Sequence, residues 1–453
     1  VRLDAAARLL ERHFGHADFR PMQRRVVGSV LAGYDVLAVL PTGAGKSVCY
    51  QIPAVACSGL TLVVSPLISL MQDQVETARR RGLPAAYVNS ALEPDRQQAV
   101  LEAVASGSCR LLYAAPERLR RLAVELDRCG VQPVLLAVDE AHCITEWGHD
   151  FRPAYRIIRP ARELLGWPQC VALTGTATSE VREDIRISLG LGAAPPGLVR
   201  RRYQLHVDSF DRPNLWFGVT RVRDDRERLG QMLRLLKQER GTSIVYAPTR
   251  NLTEAIARAA RNAGLSAIPY HAGLTQESRA QALERFRTGQ ARVVAATCAF
   301  GMGIDKPDIR LVVHWMFPAS PEAYYQEAGR AGRDGSRGRC VLLHAEGDAR
   351  LNQLQLAATF PPERLVERAW TDPQVFRMLP AGVRASVERL RGELRPAAGT
   401  RPDWRGVRRR RQWAERRLEA MHRYVTSRAC RRRTLVGWFG ELLSACGGCD
   451  RCE

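Results

Sequence analysis

Short, uninterrupted apolar runs recur along this chain, and each leads straight into a polar turn: VLAVL ahead of PTGAGKS, LTLVVS, RLLYAA, PVLLAVDE and CVALTGT, then SIVYA, ARVVAAT, IRLVVHW and RCVLLH. A strand with one wet face alternates apolar and polar residues. A strand that is apolar throughout is buried on both faces, and when such strands are separated by helical stretches the economical arrangement is a parallel sheet covered by helices. The pattern therefore predicts an α/β protein with two successive parallel-sheet units. The first, residues 1–205, ends near RRYQLHVDSFDRPN, and the second, 206–348, begins with the strand in that stretch. From residue 349 to 429 no strand signal appears; the segment is rich in Leu and Arg, carries RRRR at 408–411, and reads as helical with an interruption around RPAAGTRPDW. With the cysteines beyond it, it makes a third part, 349–453.

A length of 453 residues with 45% hydrophobic content suits about three domains with ample core. The chain carries a net charge of +21 and a pI near 10.1, which favours a polyanionic partner, nucleic acid before anionic membrane. Only Lys46, Lys237 and Lys306 among the 68 basic residues are lysines, so arginine is the default cation and part of the excess reflects composition bias. No run reaches the roughly 18 apolar residues of a membrane span, and VRLDAAARLLERHFG carries acids where a secretory leader would be apolar. A cytoplasmic, nucleoid-associated protein with no membrane partner is expected. The first residue is Val1, so the true start is left open.

The densest chemistry lies in DEAHCITEWGHDFRPAY, residues 139–155. His142, Cys143 and His149 are zinc-type ligands, but no fourth ligand stands at a sensible spacing. Two other patterns explain the acids. PTGAGKS follows a buried strand and precedes a helical stretch, so backbone N–H groups of Thr42, Gly43, Ala44 and Gly45 can cradle phosphates; Lys46 faces their charge and Ser47 holds magnesium. Leu40 stands where the strict phosphate-loop pattern has glycine, a shortened form that points to helicase-type loops. LLAVDEAH then ends a strand in two adjacent carboxylates. Asp139 can reach the same magnesium, and Glu140 can orient and deprotonate the attacking water. Together these motifs point to hydrolysis of ATP with Mg2+.

Further segments extend the pattern: FGHADFRPMQ, SPLISLMQDQV, YAAPERL, ALTGTAT, YHAGL, TCAFGMGIDKPDIRLVVHW and YYQEAGRAGRDG, in that order. Their set and order resemble the RecQ family of superfamily 2 DNA helicases over residues 9 to about 345 and again over 421–452, with Gly175 replacing a more usual alanine. The resemblance implies two tandem RecA-like domains and 3′ to 5′ movement on DNA, unwinding duplexes in repair or recombination. It places Gln23 on the adenine edge with Arg20 nearby, and adds Gly303, Asp305 and Gln326 to the nucleotide contacts. Arg330 and Arg333 are spaced i, i+3, so one helical turn would present both to the γ-phosphate, with Arg333 as the finger; an isolated GRAGR would otherwise be a surface pair. After the catalytic acids, the resemblance implies an aromatic-rich loop that senses single-stranded DNA, through Trp147, His149, Phe151 and Arg152; the plain alternative is core aromatics.

Zinc belongs at the end of the chain, where Cys430, Cys446, Cys449 and Cys452 give C-x15-C-x2-C-x2-C, and CRRRTLVGWFGE resembles the RecQ zinc module. A redox CxxC lacks the βαβ setting it needs. Four thiolates should close a module that folds locally beyond about residue 420, flanked by the arginines at 408–411 and 431–433 as phosphate contacts. The sequence stops one residue after Cys452, so the family's winged-helix and HRDC domains are not expected in it. The implied partners are DNA, single-stranded and as tailed or branched duplex, with a single-stranded DNA-binding protein as a further candidate. Three other functions compete: a DNA-stimulated translocase or strand-annealing remodeler that unwinds poorly, an RNA helicase, and a non-catalytic nucleic-acid binding module. The intact Lys46, Asp139, Glu140 and Arg333 argue against the last.

Overall fold

The computed structural model describes residues 3–41, 43–89, 92–146, 151–195, 197–301, 306–394 and 402–453. It divides into two compact units. The first is Val1–Arg212 with Val436–Leu443; the second comprises Pro213–Phe300, Lys306–Leu435 and Ser444–Glu453.

In the first unit seven strands form one sheet: Asp35–Val39 (β1), Leu60–Val64 (β2), Ala85–Val88 (β3), Leu111–Ala114 (β4), Pro133–Val138 (β5), Gln169–Thr174 (β6) and Tyr203–Val207 (β7). The order is β3-β4-β2-β5-β6-β1-β7, and every pair is parallel. The continuous apolar runs are the inner strands, and β1 and β2 are buried at every position. Strand β7 corrects the expected boundary. It pairs with β1 in register Asp35↔Tyr203 to Val39↔Val207, so it belongs to the first sheet and the units divide after Arg212, not at 205/206. Because all strands run the same way, the loops after β5, β6 and β1, which are neighbours in the sheet, open at one end. That C-terminal end is where open α/β sheets bind ligands.

The opposite end of β1 carries a wholly buried ion pair. Both Asp35 oxygens lie 2.9 Å from Arg162 Nη2, and both residues are 0% exposed. The remaining Arg162 donors go to the carbonyls of Pro168, Leu189 and Gly190, and its plane covers Trp167.

The second unit repeats the architecture with Leu215–Arg221 (β8), Thr242–Tyr246 (β9), Ala267–Tyr270 (β10), Val293–Ala296 (β11), Ile309–His314 (β12) and Gly338–His344 (β13), in the order β10-β11-β9-β12-β13-β8, again all parallel. Its helices begin on side-chain caps: Asp224, Thr249, Thr275 and Ser320 each accept a backbone N–H of the following first turn. The region after β13 is helical as expected, with helices Asp348–Thr359, Glu363–Thr371, Pro373–Met378, Ala381–Leu394 and Arg405–Thr426. Val366, Ala369, Val387, Leu390, Trp404 and Val407 give it a small core, over which Trp370 and Trp404 stack at 6.0 Å. Part of the expected interruption, residues 395–401, lies outside the described residues. Among the described residues no helix is long and apolar enough to cross a membrane.

Candidate nucleotide and metal sites

Between β1 and helix Val48–Ala56 the chain turns through Gly43 (φ +86) and Gly45 (φ +74), left-handed conformations that a residue with a Cβ rarely adopts. A Cβ at Gly45 would also lie 2.5 Å from Gln23 Nε2, so the Gln23 amide would have to move from the loop it holds. The loop is held from helix Pro21–Leu31: Gln23 Nε2 donates to the carbonyls of Ala44 (2.8 Å) and Gly45 (3.2 Å), and Arg20 Nη1 donates to that of Gly43 (2.6 Å). Gln23 Oε1 accepts the Arg20 N–H. The two residues expected at the adenine thus brace the phosphate loop, a role that nothing in the motif spacing announces. Lys46 and Ser47 are half-buried at the start of the following helix. Thr42 lies outside the described residues.

Asp139 follows β5 directly and is 6% exposed. Its Oδ1 accepts the Glu140 N–H (2.9 Å), and its Oδ2 accepts from Gln74 Nε2 (3.2 Å). Burial, and then the neighbouring Glu140 charge, push its pKa up to about 6, against the opposing pull of the Lys46 ammonium. Glu140 sits at φ 46, ψ 47, left-handed and costly for a non-glycine residue, a kind of strain that concentrates at functional sites. Its carboxylate lies 3.3 Å from His142 Nδ1, and the same nitrogen is 3.0 Å from Thr174 Oγ1 at the end of β6. Although burial opposes it, the Cys143 sulfur and the Glu140 carboxylate hold the His142 pKa well above its ordinary value. Gln74, Thr174 and Tyr155, whose hydroxyl donates to the Asp139 carbonyl (3.1 Å), complete the support of the acids. All three lie in quoted motifs, yet only the fold shows what they touch. The site fits Mg2+: a buried carboxylate with a raised pKa, beside a second carboxylate, is an environment that a divalent cation relieves.

Of the expected DNA-sensing loop, Trp147 and His149 lie outside the described residues. Phe151 is partly buried with the Arg156 guanidinium 5.2 Å from its ring centre, and Arg156 is ion-paired to Glu146. Arg152 Nη1 donates to the Pro66 carbonyl (2.7 Å), tying this loop to the SPLISL segment that follows β2.

In the second unit, helix Pro321–Ala328 carries half-buried Gln326 but stops before the arginines. Arg330 and Arg333 therefore do not share a helical face; they occupy the turns that follow, with Gly332 between them at φ +55. Arg330 is 3% exposed and Arg333 half-exposed. Both guanidinium charges nevertheless bear on the buried Tyr246 hydroxyl, Arg330 most directly. Gly303 and Asp305 lie outside the described residues.

Cys430, Cys446, Cys449 and Cys452 bring their sulfurs within 4.8 Å of one another, with Cys430 and Cys449 3.8 Å apart. Four sulfurs at about 2.3 Å from a tetrahedral zinc stand about 3.8 Å from each other, so the donor set fits zinc. Backbone N–H groups already point at this set, from Arg433 to Cys430 Sγ and from Gly448 to Cys446 Sγ. Against its burial, backbone donors at Arg451 and Arg431 pull the Cys449 thiol down to about 7.

The cysteine segment is not a module apart. Cys449 bridges to Phe217 of β8, Asp450 N donates to the Phe217 carbonyl (3.0 Å), and Val219 N donates to Asp450 Oδ2 (3.1 Å). The expected arginine platform is partly internal: Arg410, Arg431 and Arg432 are buried, while Arg408, Arg409, Arg411 and Arg433 are exposed. Arg431 is 1% exposed and bonded to Asp450; Arg432 is 0% exposed and donates to the Leu215 carbonyl. Arg408 pairs with Glu363, Arg410 with Glu393 and Arg411 with Glu415.

Two parallel-sheet units with a phosphate loop and a carboxylate-ended strand define the helicase class of RecA-like motors. The family profile for the DEAD/DEAH box helicases matches residues 20–185, and that for the helicase conserved C-terminal domain matches 225–335. Solved structures agree in fold. The DUF1998 helicase MrfA bound to DNA has a TM-score of 0.62 at 17% identity over 78% of this chain and 52% of its own. Mycobacterium smegmatis Lhr, bound to single-stranded DNA and AMP-PNP, has 0.57 at 22% identity over 80% of this chain and 50% of its own. The profile for RecQ zinc-binding matches residues 400–453. The ATP-dependent DNA helicase RecQ of Haemophilus influenzae is 35% identical over 100% of this chain and 64% of its own length. The probable ATP-dependent DNA helicase RecS of Bacillus subtilis is 41% identical over 76% of this chain and 68% of its own. The chain belongs to the RecQ family of helicases, and it spans about two thirds of the length of these relatives.

Proposed function

We propose that this chain is the motor of an ATP-dependent DNA helicase, which hydrolyses ATP to move 3′ to 5′ along single-stranded DNA and to separate duplexes in repair or recombination. The observation that carries the reading is the set of loops after β5, β6 and β1, which places Asp139, Glu140, Thr174 and the Gly43–Ser47 loop at one end of one sheet in a RecQ-family chain. The loop N–H groups and Lys46 hold the phosphates, while Ser47 and Asp139 hold Mg2+. A bound Mg2+ supplies positive charge that stabilises the phosphoryl oxygens as the bond breaks. Glu140, fixed in its left-handed turn, orients the water and takes its proton; His142 and Thr174 keep the carboxylate aimed. Arg330 and Arg333, with Gln326, Gly303 and Asp305, contribute from the second unit, where the arginines stabilise charge on the γ-phosphate. Arg20 and Gln23 couple base recognition to the loop they brace, and Trp147, His149, Phe151 and Arg152 report DNA occupancy to the adjacent acids.

The residues 1–212, 213–348 and 349–453 act as the ATP-binding lobe, the second lobe and a helical zinc-bearing region. Zinc held by the four thiolates cross-links the last segment. The substrates are single-stranded and tailed or branched DNA. A single-stranded DNA-binding protein is an accessory partner, and the address is the cytoplasm at the nucleoid. The test compares phosphate release with single-stranded DNA and with RNA, alongside strand separation of duplexes tailed at the 3′ or the 5′ end. Stimulation by DNA and opening of the 3′-tailed duplex are expected. Hydrolysis that ignores DNA, or a preference for RNA, would overturn the reading.

A further inference from the structure

We infer that Asn214 is a positioning residue for the turn that carries Arg330 and Arg333, clamping it to an edge strand that the cysteine-bearing terminus braces from the other side. The inference rests on the reading of those arginines as part of the ATP-hydrolysing site.

Strand β8 is the last in the order of the second sheet, so among the described residues only one of its edges meets another strand, β13. An unprotected edge is a liability in a parallel sheet. Here the terminus covers it. Besides the Phe217, Cys449 and Asp450 contacts, Trp216 Nε1 donates to Glu453 Oε2 at 2.8 Å. Asn214 stands immediately before this braced strand, and its carbonyl accepts the Gly338 N–H (3.0 Å) at the start of β13.

Its side chain makes the clamp. Asn214 Nδ2 donates to two carbonyls on either side of Arg333 in the chain, those of Gly332 and Ser336, each at 2.8 Å. Gly332 N in turn donates to the Ile309 carbonyl (2.8 Å) at the start of β12. The approach leaves no room for a side chain on Gly332, because a Cβ would run into the Ser336 backbone carbonyl oxygen as well as lying 2.5 Å from Asn214 Nδ2. Gly332 is the residue before Arg333, so the direction of its carbonyl sets the peptide plane from which Arg333 leaves the backbone. One amide group with two hydrogens thus fixes the orientation of the finger, and it can do so only as a donor.

That chemistry separates positioning from packing. Asn214→Asp keeps the shape of the side chain but offers oxygens to two carbonyl oxygens; Asn214→Ala removes the group. Both variants should lower kcat for DNA-stimulated ATP hydrolysis about 10- to 100-fold, the effect of a small misplacement of a catalytic group, with KM for ATP changed less than about threefold. Amide hydrogen exchange across residues 329–336 should accelerate in both, while zinc content and the melting midpoint of the full chain stay near those of the parent protein. Unchanged kcat in both variants, beside an active parent, overturns the positioning role alone. Loss of kcat only in step with lost zinc and a collapsed midpoint overturns it in favour of plain structural support. A parent chain that hydrolyses no ATP overturns the reading beneath and the inference with it.

Discussion

Two aspartates at opposite ends of one sheet are almost equally hidden from water and do opposite things. Asp35, at the start of β1, meets Arg162 through both oxygens and also accepts backbone N–H groups from Cys170 (2.8 Å) and Gly192 (3.1 Å). Asp139, after β5, accepts one amide side chain and one backbone N–H; among the described residues no ion pair reaches it, and Glu140 adds a like charge next door. A buried charge with every lone pair matched holds a fold together, whereas one left short of positive charge is poised for a cation from outside. Satisfaction, not burial, separates the structural carboxylate from the functional one.

The largest effect expected from breaking this contrast is on chemistry. Glu140→Gln keeps the size of the side chain but cannot accept the proton of the attacking water. ATP turnover should fall about 10²- to 10⁴-fold, measured as phosphate release, while nucleotide and DNA binding persist. The chain should remain folded, because the contacts of Glu140 serve the site and not the core.

At the other end of the sheet the largest effect is on stability. Arg162→Ala leaves Asp35 charged and sealed in, and strips the partners from the carbonyls of Pro168, Leu189 and Gly190. Removing one partner of a buried pair costs about 3–5 kcal/mol, so the urea midpoint of the first unit should drop sharply or the chain should fail to fold. A near-normal midpoint would show that Asp35 is less dependent on its partner than its surroundings suggest.

Asp139 should behave in the reverse sense. Its carboxyl titrates near 6 in the folded protein against 3.8 for the free group. The stability it contributes is therefore complete below about pH 3.8 and lost as pH rises through about 6, because ionising it in place is unfavourable. Asp139→Asn removes that cost. In metal-free buffer at pH 7 the variant should be more stable than the parent by on the order of 1–2 kcal/mol, with the gain gone by pH 4, while ATP turnover is abolished. Urea melts at the two pH values check this; a variant less stable than its parent at pH 7 would mean that the contacts from Gln74 and Glu140 outweigh the repulsion.

How much of this was legible beforehand follows from what each residue needs. Inner strands declare themselves because burial on both faces demands apolar residues throughout. The short edges β3 (AAYV) and β10 (AIPY) carry too little pattern, and β8 (LWFGVTR) hides a strand behind a glycine and two bulky aromatics. The strand β7 was readable, but not its partner, since a parallel neighbour is chosen by packing across distant segments. The phosphate loop, the paired acids and the four cysteines are local in sequence and could be read as chemistry. Gln74, Thr174 and Asn214 act through hydrogen bonds to far-off residues, which no local spacing encodes. Arginine runs mislead for a physical reason: a guanidinium with a long apolar stem can be buried once carbonyls and carboxylates match its donors, as Arg431 and Arg432 are.

The smallest effect belongs to the exposed counterpart of the Asp35–Arg162 pair. Arg408 meets Glu363 through two short bonds, Nε to Oε1 at 2.6 Å and Nη2 to Oε2 at 2.7 Å, a geometry as good as the buried pair's. The side chains are 62% and 34% exposed, however, so water competes for every donor, and breaking the pair leaves no charge stranded. Glu363→Gln should therefore shift the melting midpoint far less than Arg162→Ala. In about 1 M salt, where the screening length contracts to about 3 Å, the remaining difference from the parent should disappear. The Arg162→Ala deficit should persist in the same salt, because ions cannot enter the space around Asp35. Equal salt sensitivity at both sites would mean that the Asp35 pocket is open to solvent, and the distinction between the two aspartates would then rest on hydrogen bonding alone.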